Sequence, residues 1–317
     1  MQVNDLIFKE LLKRGYSLEG NTRVWNIADS KLWYLTPEQA KGYLSLDSEP
    51  NYRNATGQPQ GQDLLKESAQ EILELVGDAV FNIVDLGCGD GKKAASLIIE
   101  LKKQRPTLKL RYCPVDISGY MVSAAIETFS KLKIGEIVEF KYNISDFENL
   151  ENITPLLRKE GFKRNVILLL GNTLGNFEVN ELLYEIRTGM TDGDVFIVDT
   201  AIDDHKQEAR AESYRLNKQA NEWMIHIPLQ LGLTRKEVEF GARFRNQRIE
   251  IYYSILVDKN IKFQDKSVRF TKGDQIIVAV GYKHDLSDLL TYLNMHFDAV
   301  TVKVSHDKSK VLAICTR

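Results

Sequence analysis

The sequence predicts an α/β protein with a doubly wound parallel sheet and a second, smaller α+β lobe. From about residue 62 to 200, short apolar runs alternate with segments of helical periodicity, which is typical of parallel strands joined by helices. A glycine-rich turn joins the first apolar run to its helix at 81–93, FNIVDLGCGDGKK. After Asp199, runs of period two such as RIEIYYSILV indicate antiparallel strands.

The glycine-rich turn is the first candidate functional feature. Asp85 closes the apolar run, and Gly87, Gly89 and Gly91 follow at alternate positions. Glycine has no Cβ, so a ligand can approach the backbone closely. The helix that follows offers free N–H groups and a partial positive charge at its N-terminus. A turn without a ligand stays an alternative. The glycine spacing departs from the G-x-G-x-x-G fingerprint of dinucleotide binding.

Further candidate residues follow the ends of the next predicted strands. LRYCPVD ends in Asp116, whose carboxylate can accept both hydroxyls of a ribose. IVEFKYN leads to Asp146 and Phe147, which are placed to meet an adenine. The fully apolar run NVILLLG predicts a central strand that is buried on both faces. Because the carboxyl ends of parallel strands share one edge of the sheet, these segments are expected to converge there.

Taken in order, these segments resemble the motifs of a Rossmann-like methyltransferase that uses S-adenosylmethionine. VILLLGNTLGNF at 166–177 is similar to the strand and loop of the histidine-specific N-alpha-methyltransferases of ergothioneine synthesis, where the loop reads roughly L-G-S-T-I-G-N-F. DLGCGDGKK, YCPVDIS, SDF, the D-x-x-x-D segment Asp199–Asp203, RIEIYYS and FTKGDQIIVAVGYK extend the resemblance over most of 62–317.

The resemblance implies a role for each matching residue. The residues that would hold S-adenosylmethionine, and its product S-adenosylhomocysteine, are Asp85, Gly87, Gly89, Lys93, Asp116, Asp146, Phe147 and Gly171. Asn176 would bind the α-amino group of the substrate, which is the methyl acceptor, and would be the catalytic residue. Tyr214 and Tyr52 are the candidates for two substrate-binding tyrosines. For Asn176, a turn residue is the alternative, since Gly-Asn after a strand is good turn chemistry.

Two substitutions predict that histidine is not the preferred substrate. In the family, a Glu and a Ser two residues apart bind the imidazole of the substrate histidine. Alignment on Gly273 and Lys283 puts Ala279 and Gly281 at these positions. The family's Met on the neighbouring strand is Ile251 here. The resulting pocket is expected to be roomier and more apolar, and suited to a larger or aromatic side chain.

The change of pattern along the chain divides it into two predicted lobes. Residues 62–200 with 285–317 are expected to form the cofactor-binding core, its last two strands returning as an antiparallel hairpin. Residues 1–61 with 201–284 are expected to form a substrate-binding cap. The N-terminal segment holds Trp25, Trp33, Tyr34 and Tyr43 among turn residues, and docking on a core is the favoured interpretation for each.

The amino-acid composition limits the classes of molecule that the protein is expected to bind. The net charge is −2, so a nucleic-acid substrate is not expected. No apolar run reaches the roughly 18 residues of a membrane span. Cys88, Cys113 and Cys315 are too few for a disulfide framework, and the five histidines lack ligand spacing, so no metal is expected. The expectation is a cytoplasmic enzyme that acts on a small-molecule amine.

Two other functions are compatible with the same motifs. A methyltransferase that acts on a protein or peptide would use 1–61 as a docking surface and would show an open cleft. A non-catalytic protein that binds S-adenosylmethionine or S-adenosylhomocysteine is the second alternative. The sequence does not specify the methyl acceptor, the number of methyl groups or the oligomeric state.

Overall fold

The computed structural model describes residues 4–134, 136–139 and 150–317, which form two compact units. We call Glu49–Asp204 with His284–Arg317 the Rossmann unit, and Met1–Ser48 with His205–Lys283 the second unit. Asp146 and Phe147 lie outside the described residues.

The strands of the described residues are numbered in chain order. They are β1 (Ser17–Glu19), β2 (Thr22–Asn26), β3 (Phe81–Leu86), β4 (Leu110–Val115), β5 (Glu136–Ile137), β6 (Arg164–Leu169), β7 (Val195–Ala201), β8 (Val238–Arg245), β9 (Arg248–Ile255), β10 (Lys259–Phe263), β11 (Lys266–Phe270), β12 (Gln275–Tyr282), β13 (Ala299–Val304) and β14 (Lys310–Thr316).

The helices are numbered in the same way. They are α1 (Asp5–Arg14), α2 (Pro37–Asp47), α3 (Pro50–Ala55), α4 (Gln58–Glu67), α5 (Ala69–Val76), α6 (Lys92–Gln104), α7 (Gly119–Leu132), α8 (Leu150–Leu157), α9 (Val179–Thr188), α10 (Gln207–Leu216), α11 (Lys218–Met224), α12 (His226–Gln230) and α13 (Leu286–His296), with 3₁₀ helices at Ser30–Trp33 and Thr173–Asn176. No described helix has the length and apolar character needed to span a membrane.

The sheet of the Rossmann unit confirms the predicted fold. Its strand order is β13-β14-β7-β6-β3-β4-β5, with β3 to β7 parallel and β14 antiparallel to both of its neighbours. The chain runs outward from β3 to β5 and then returns to β6 on the other side of β3. Leu86 at the end of β3 pairs with Val115 and Leu169. The turns after these strands therefore lie at one edge, at the switch point where ligands bind in such sheets.

Both faces of this sheet are buried, which explains the uninterrupted apolar runs. Ile83, Val166 and Leu168 pack with α4 to α7 on one face. Val84 and Ile167 pack with α8, α9 and α13 on the other. Successive residues of a strand point to opposite faces, so a strand covered on both faces needs apolar side chains throughout.

The second unit is built on the sheet β1-β2-β12-β9-β8, beside a separate hairpin of β10 and β11. The period-two runs form the antiparallel strands β8, β9 and β12, as the pattern predicts. The sequence pattern did not predict β2, which joins this sheet by parallel pairing of Val24 with Gln275. This short strand is stabilised by pairing with β12, which is distant in the sequence.

Aromatic side chains of the N-terminal segment dock within the second unit. The ring centroids of Trp33 and Trp223 are 5.9 Å apart, and those of Tyr43 and Trp223 are 5.0 Å apart. Tyr34 completes the group, 5.4 Å from Tyr43. Three consecutive helices, α10, α11 and α12, follow β7 in the chain, and the side chain of Asn217 caps α11.

The first boundary between the two compact units lies after Ser48. The sequence pattern, in contrast, changes at about residue 61. Helices α3 and α4 belong to the Rossmann unit because α4 packs on α6 and β14. Gly61 permits this close packing, since a Cβ there would lie 2.7 Å from Asp199 Oδ2 and 2.9 Å from Lys310 Cε.

Candidate functional site

The glycine-rich turn is held against the end of β4 by backbone hydrogen bonds. The amide of Gly87 donates to the carbonyl of Val115 at 2.8 Å, and that of Cys88 donates to the same oxygen at 3.3 Å. No described atom lies within 4 Å of the position that a Cβ would take at Gly89, whose φ is +53°. The backbone of the turn is therefore open to a ligand. Helix α6 begins immediately afterwards and directs the positive end of its dipole to this edge.

Asp116 ends β4 beside this turn. Its Oδ1 accepts from the amide of Ser118 at 2.9 Å, and its Oδ2 accepts from the amide of Gly89 at 3.3 Å. The side chain is buried, and burial raises the pKa of the carboxyl to about 6, while the amides of Ser118 and Gly89 oppose the shift. The structure thus brings together Asp116 and Gly89, two of the predicted cofactor residues.

Asp85 is anchored below the turn. Its Oδ2 accepts a hydrogen bond from the hydroxyl of Tyr112 at 2.7 Å, and the ring of Tyr112 stacks on Phe129. Burial raises the pKa of Asp85 to about 7, and the Tyr112 hydroxyl and the charge of Lys93 oppose the shift. The hydrogen bond joins the middle of β4 to Asp85 near the carboxyl end of β3.

Lys93 and Gly171 meet although their elements are distant in the sequence. Lys93 Nζ lies 2.5 Å from the position that a Cβ would take at Gly171, whose φ is +80°. The positive φ favours glycine at this position, and a side chain there would displace the Lys93 ammonium group. Lys93 is on the first turn of α6, so this contact links the helix after the glycine-rich turn to the loop after β6.

The loop after β6, residues 171–177, is called the GNTLGNF loop here. Asn172 adopts a left-handed conformation and precedes the 3₁₀ helix that carries Asn176. The amide of Gly171 donates to Asp199 Oδ1 at 2.6 Å. Asn172 Oδ1 accepts from the amide of Ala201 at 2.6 Å and from Lys310 Nζ at 2.5 Å. Side chains and backbone of β7 and β14 therefore hold the start of the loop.

Asn176 is half-buried at the end of this loop, and the loop is tied to the helix that carries Tyr52. Asn172 Nδ2 donates to the carbonyl of Thr56 at 2.8 Å. The amide of Thr56 in turn donates to the carbonyl of Tyr52 at 2.9 Å. A short chain of hydrogen bonds thus connects the elements of these two candidate substrate residues within the Rossmann unit.

The remaining candidate substrate residues belong to the second unit. Ala279 pairs directly with Ile251, and Gly281 pairs with Ile249, so Ala279, Gly281 and Ile251 share one face of the sheet. Ala279 is buried, and no described atom lies within 4 Å of the position of a Cβ at Gly281. Tyr214 lies on the half-buried side of α10, a helix that packs against β8 and β9.

Asp199, Lys310 and Asn172 were not predicted as site residues. The sequence marks Asp199 only as part of the D-x-x-x-D segment. Lys310 begins an otherwise apolar strand, KVLAICT, where a lysine is typical of an exposed strand end. The sequence does not reveal that Lys310 is completely buried, and only this burial distinguishes it from such an exposed lysine. No cluster of potential metal ligands occurs among the described residues.

Comparison with known proteins defines the family. Residues 59–316 match the sequence profile of a family described as histidine-specific, S-adenosylmethionine-dependent methyltransferases. The chain belongs to this family. It is therefore a methyltransferase that depends on S-adenosylmethionine, which confirms the family and the cofactor expected from the sequence. No curated protein matches the sequence.

Several solved structures resemble the chain at low identity. A S-adenosylmethionine-dependent methyltransferase of Clostridium acetobutylicum is 17% identical with a TM-score of 0.42, over 81% of this chain and 91% of that one. A protein of Pyrococcus horikoshii is 14% identical with a TM-score of 0.44, over 89% and 99% of the two chains. Magnesium protoporphyrin IX methyltransferase of Synechocystis, with bound S-adenosylhomocysteine, is 10% identical with a TM-score of 0.47, over 91% and 100%.

The residues present in this methyltransferase fit S-adenosylmethionine. The carboxylate of Asp116 lies at a strand end, where it can accept ribose hydroxyls. The open backbone at Gly89 permits a close approach beside it. Lys93, whose Nζ lies beside Gly171, would offer a cation to the carboxylate of the methionine moiety.

Proposed function

We propose that this methyltransferase methylates the amine nitrogen of an amino acid or related small molecule other than histidine. The observation that carries the proposal is the pair Ala279 and Gly281, at the positions where the family has its imidazole-binding Glu and Ser. Neither residue offers a polar side chain. A hydrogen bond to a charged group contributes about 1.5–3 kcal/mol, so losing the carboxylate alone weakens imidazole binding by roughly 10- to 150-fold.

The neighbourhood of these positions supports a larger apolar substrate side chain. Ile251 shares the face of Ala279, and the position of a Cβ at Gly281 is open. Tyr253 also shares this face, but it is buried and its hydroxyl donates to Asn221 Oδ1 at 2.8 Å. Tyr252 belongs to the opposite face by strand alternation. We therefore propose an aromatic amino acid or its decarboxylated amine as the substrate class.

Asn176 is proposed as the residue that orients the acceptor amine, together with Tyr52 and Tyr214 as substrate-binding residues. S-adenosylmethionine, when bound, supplies a methyl group activated on a sulfonium. The chain has to hold a deprotonated amine in position, and alignment of this kind contributes about 7–11 kcal/mol in favourable cases. The amide oxygen of Asn176 can accept an amine N–H, and it carries no charge that would favour the ammonium form.

We also propose a cytoplasmic location and a small molecule as the partner. The chain has three cysteines, too few for a disulfide framework, which fits a reducing compartment. The protein has a net charge of −2, whereas proteins that bind nucleic acids are usually basic.

A competition assay tests the substrate. Histidine, tryptophan, tyrosine, phenylalanine and the corresponding decarboxylated amines are mixed with the enzyme and S-adenosylmethionine, and methylated products are measured by mass spectrometry. An aromatic amino acid or amine is expected to be methylated in preference to histidine. Preferential methylation of histidine would contradict the proposal.

A paired substitution gives the reciprocal test. Ala279→Glu with Gly281→Ser restores the polar groups of the family, so use of histidine is expected to rise by about 10- to 150-fold relative to the other amines. Gly281→Ser alone is the control, because the open position accepts the side chain without supplying the carboxylate. A melting curve of each variant shows whether Ala279→Glu is tolerated at this buried position.

Asn176→Ala tests the proposed catalytic residue. Turnover is expected to fall by about 100-fold because the acceptor amine loses its alignment, whereas cofactor binding stays close to that of the wild type. Leu174 lies in the same 3₁₀ helix and is buried, so Leu174→Ala serves as a control for disruption of the loop. Loss of cofactor binding in Asn176→Ala would identify Asn176 as a turn residue instead.

A further inference from the structure

Lys310 is a completely buried lysine at the start of β14. Its Nζ lies 2.7 Å from Asp199 Oδ2 and donates to Asn172 Oδ1 at 2.5 Å. Asp199 is also buried, on the neighbouring strand β7. Helix α4 covers the ion pair at Gly61, where a side chain would collide with both residues.

Stability alone does not account for this arrangement. Removing two charges from water is costly, and a buried ion pair is often no more stabilising than apolar residues of similar volume. Burial lowers the pKa of Lys310, while Asp199 opposes the shift. Apart from the pair, Thr200 and Thr316, the strands β7 and β14 are apolar, so a hydrophobic pair would satisfy the packing of the sheet.

Both members of the pair hold consecutive residues of the GNTLGNF loop. Asp199 Oδ1 accepts from the amide of Gly171, and Lys310 donates to the side chain of Asn172. The same Asn172 oxygen accepts from the amide of Ala201, which fixes the orientation of its amide group. Asn172 takes a left-handed conformation, which costs free energy in a residue other than glycine and needs support from its surroundings.

We propose that Lys310 and Asp199 are positioning residues that set the GNTLGNF loop, and with it Asn176, for methyl transfer. This inference rests on the proposed role of Asn176 as the residue that orients the acceptor amine. The pair touches the first two residues of the loop, and the 3₁₀ helix transmits their placement to Asn176. Loss of the pair shifts the loop and leaves the glycine-rich turn and Asp116 in place.

The test uses Lys310→Met, which retains the apolar stem and removes the ammonium group, and the double variant Lys310→Met with Asp199→Asn. The double variant removes both charges, so no uncompensated charge is buried if the single variant folds poorly. Lys303→Met is the matched control, because Lys303 lies on the adjacent strand β13 and pairs with Glu71 at the surface. Ile314→Ala on β14 controls for loss of stability at a buried position away from the loop.

Three quantities are measured in each variant: kcat for the preferred amine, the dissociation constant of S-adenosylhomocysteine, and hydrogen exchange of the amides of 171–177. In the Lys310 variants, kcat is expected to fall by about 100-fold, and cofactor affinity by much less, because Gly171 is the candidate cofactor residue that the loop carries. Exchange in the loop is expected to rise by about tenfold. Lys303→Met and Ile314→Ala are expected to change neither kcat nor loop exchange to this extent.

Two results would overturn the inference: a loss of kcat no larger than in Ile314→Ala, or a loss of cofactor affinity in proportion to the loss of kcat. If the wild type methylates none of the amines, the proposed function fails. Hydrogen exchange then still decides the positioning role, because unchanged exchange in the Lys310 variants contradicts it and raised exchange supports it.

Discussion

At the scale of single residues, the Rossmann unit buries charged groups where its strands end. Asp85 and Asp116 close β3 and β4, and Asp199 and Lys310 lie on β7 and β14 around the GNTLGNF loop. Burial disfavours the ionised forms of Asp85 and Asp116, and raises the pKa of Asp85 to about 7 and that of Asp116 to about 6. Such pKa shifts are typical of functional sites, where charged groups are buried because the chemistry requires them although burial lowers stability.

Asp85 is expected to make the stability of the cofactor-free protein depend on pH. Its pKa is raised from 3.8 to about 7, so the native protein keeps a proton that the unfolded chain has lost between these values. The stabilising contribution is therefore fully present below the unfolded value and is lost as the pH rises through about 7. Asp85→Asn removes this linkage while leaving an acceptor for Tyr112.

The measurement is the free energy of unfolding of the wild type minus that of Asp85→Asn, from about pH 4.5 to about pH 8. The difference is expected to fall as the pH rises and to level off above the pKa of Asp85. Asp90→Asn is the control, because Asp90 is in the same turn but partly exposed. A difference that does not vary with pH, or that varies equally in the control, would contradict the assignment.

At the scale of elements, an ion pair between the half-buried Arg23 and the buried Asp274 fixes the unpredicted strand β2 to the start of β12. The guanidinium of Arg23 donates to Asp274 Oδ1 at 3.0 Å and to Oδ2 at 2.6 Å. Asp274 is buried and also accepts from the amide of Thr271 at 2.9 Å. The bidentate geometry selects the register in which Val24 pairs with Gln275.

Arg23→Met is expected to lower the free energy of unfolding of the second unit by about 3 kcal/mol, because it leaves the Asp274 carboxylate buried without its partner. Denaturant unfolding followed by circular dichroism measures the effect. Arg245→Met is the matched control, since Arg245 pairs with Glu19 at the surface and is expected to cost less than about 1 kcal/mol. Equal losses in the two variants would show that the pair at Asp274 has no special role.

At the scale of the whole molecule, cofactor binding is expected to stabilise the folded chain. S-adenosylhomocysteine at ~100 times its dissociation constant adds about 2.7 kcal/mol to the free energy of unfolding, because it binds the native state alone. Asp116→Ala removes the proposed acceptor for the ribose hydroxyls, so a smaller gain is expected at the same concentration. Thermal unfolding with and without the ligand measures both.

Asp192→Ala, which removes an exposed carboxylate from the turn before β7, is the control and is expected to respond like the wild type. An unchanged melting curve of the wild type with both S-adenosylmethionine and S-adenosylhomocysteine would contradict the assignment of the site. A full response in Asp116→Ala would remove Asp116 from it.

Local patterns in the sequence determined the doubly wound sheet, the glycine-rich turn and the family. Apolar runs that alternate with helical segments predict buried parallel strands. The same pattern locates the ends of these strands, and Gly87, Gly89 and Asp116 follow two of those ends. These features depend on residues close together in the chain. The candidate residues could therefore be named in advance, although their roles toward the cofactor and the acceptor stay predictions.

Only the tertiary structure decided which distant residues meet. The partners Asn172 and Lys310 are 138 residues apart, and no local pattern distinguishes a buried lysine from an exposed one at a strand end. The parallel pairing of β2 and the packing of 49–61 on the Rossmann unit depend in the same way on long-range contacts. The physical reason is that burial is a property of the assembled fold, so a buried charge pair such as Lys310 and Asp199 forms only when the strands are side by side.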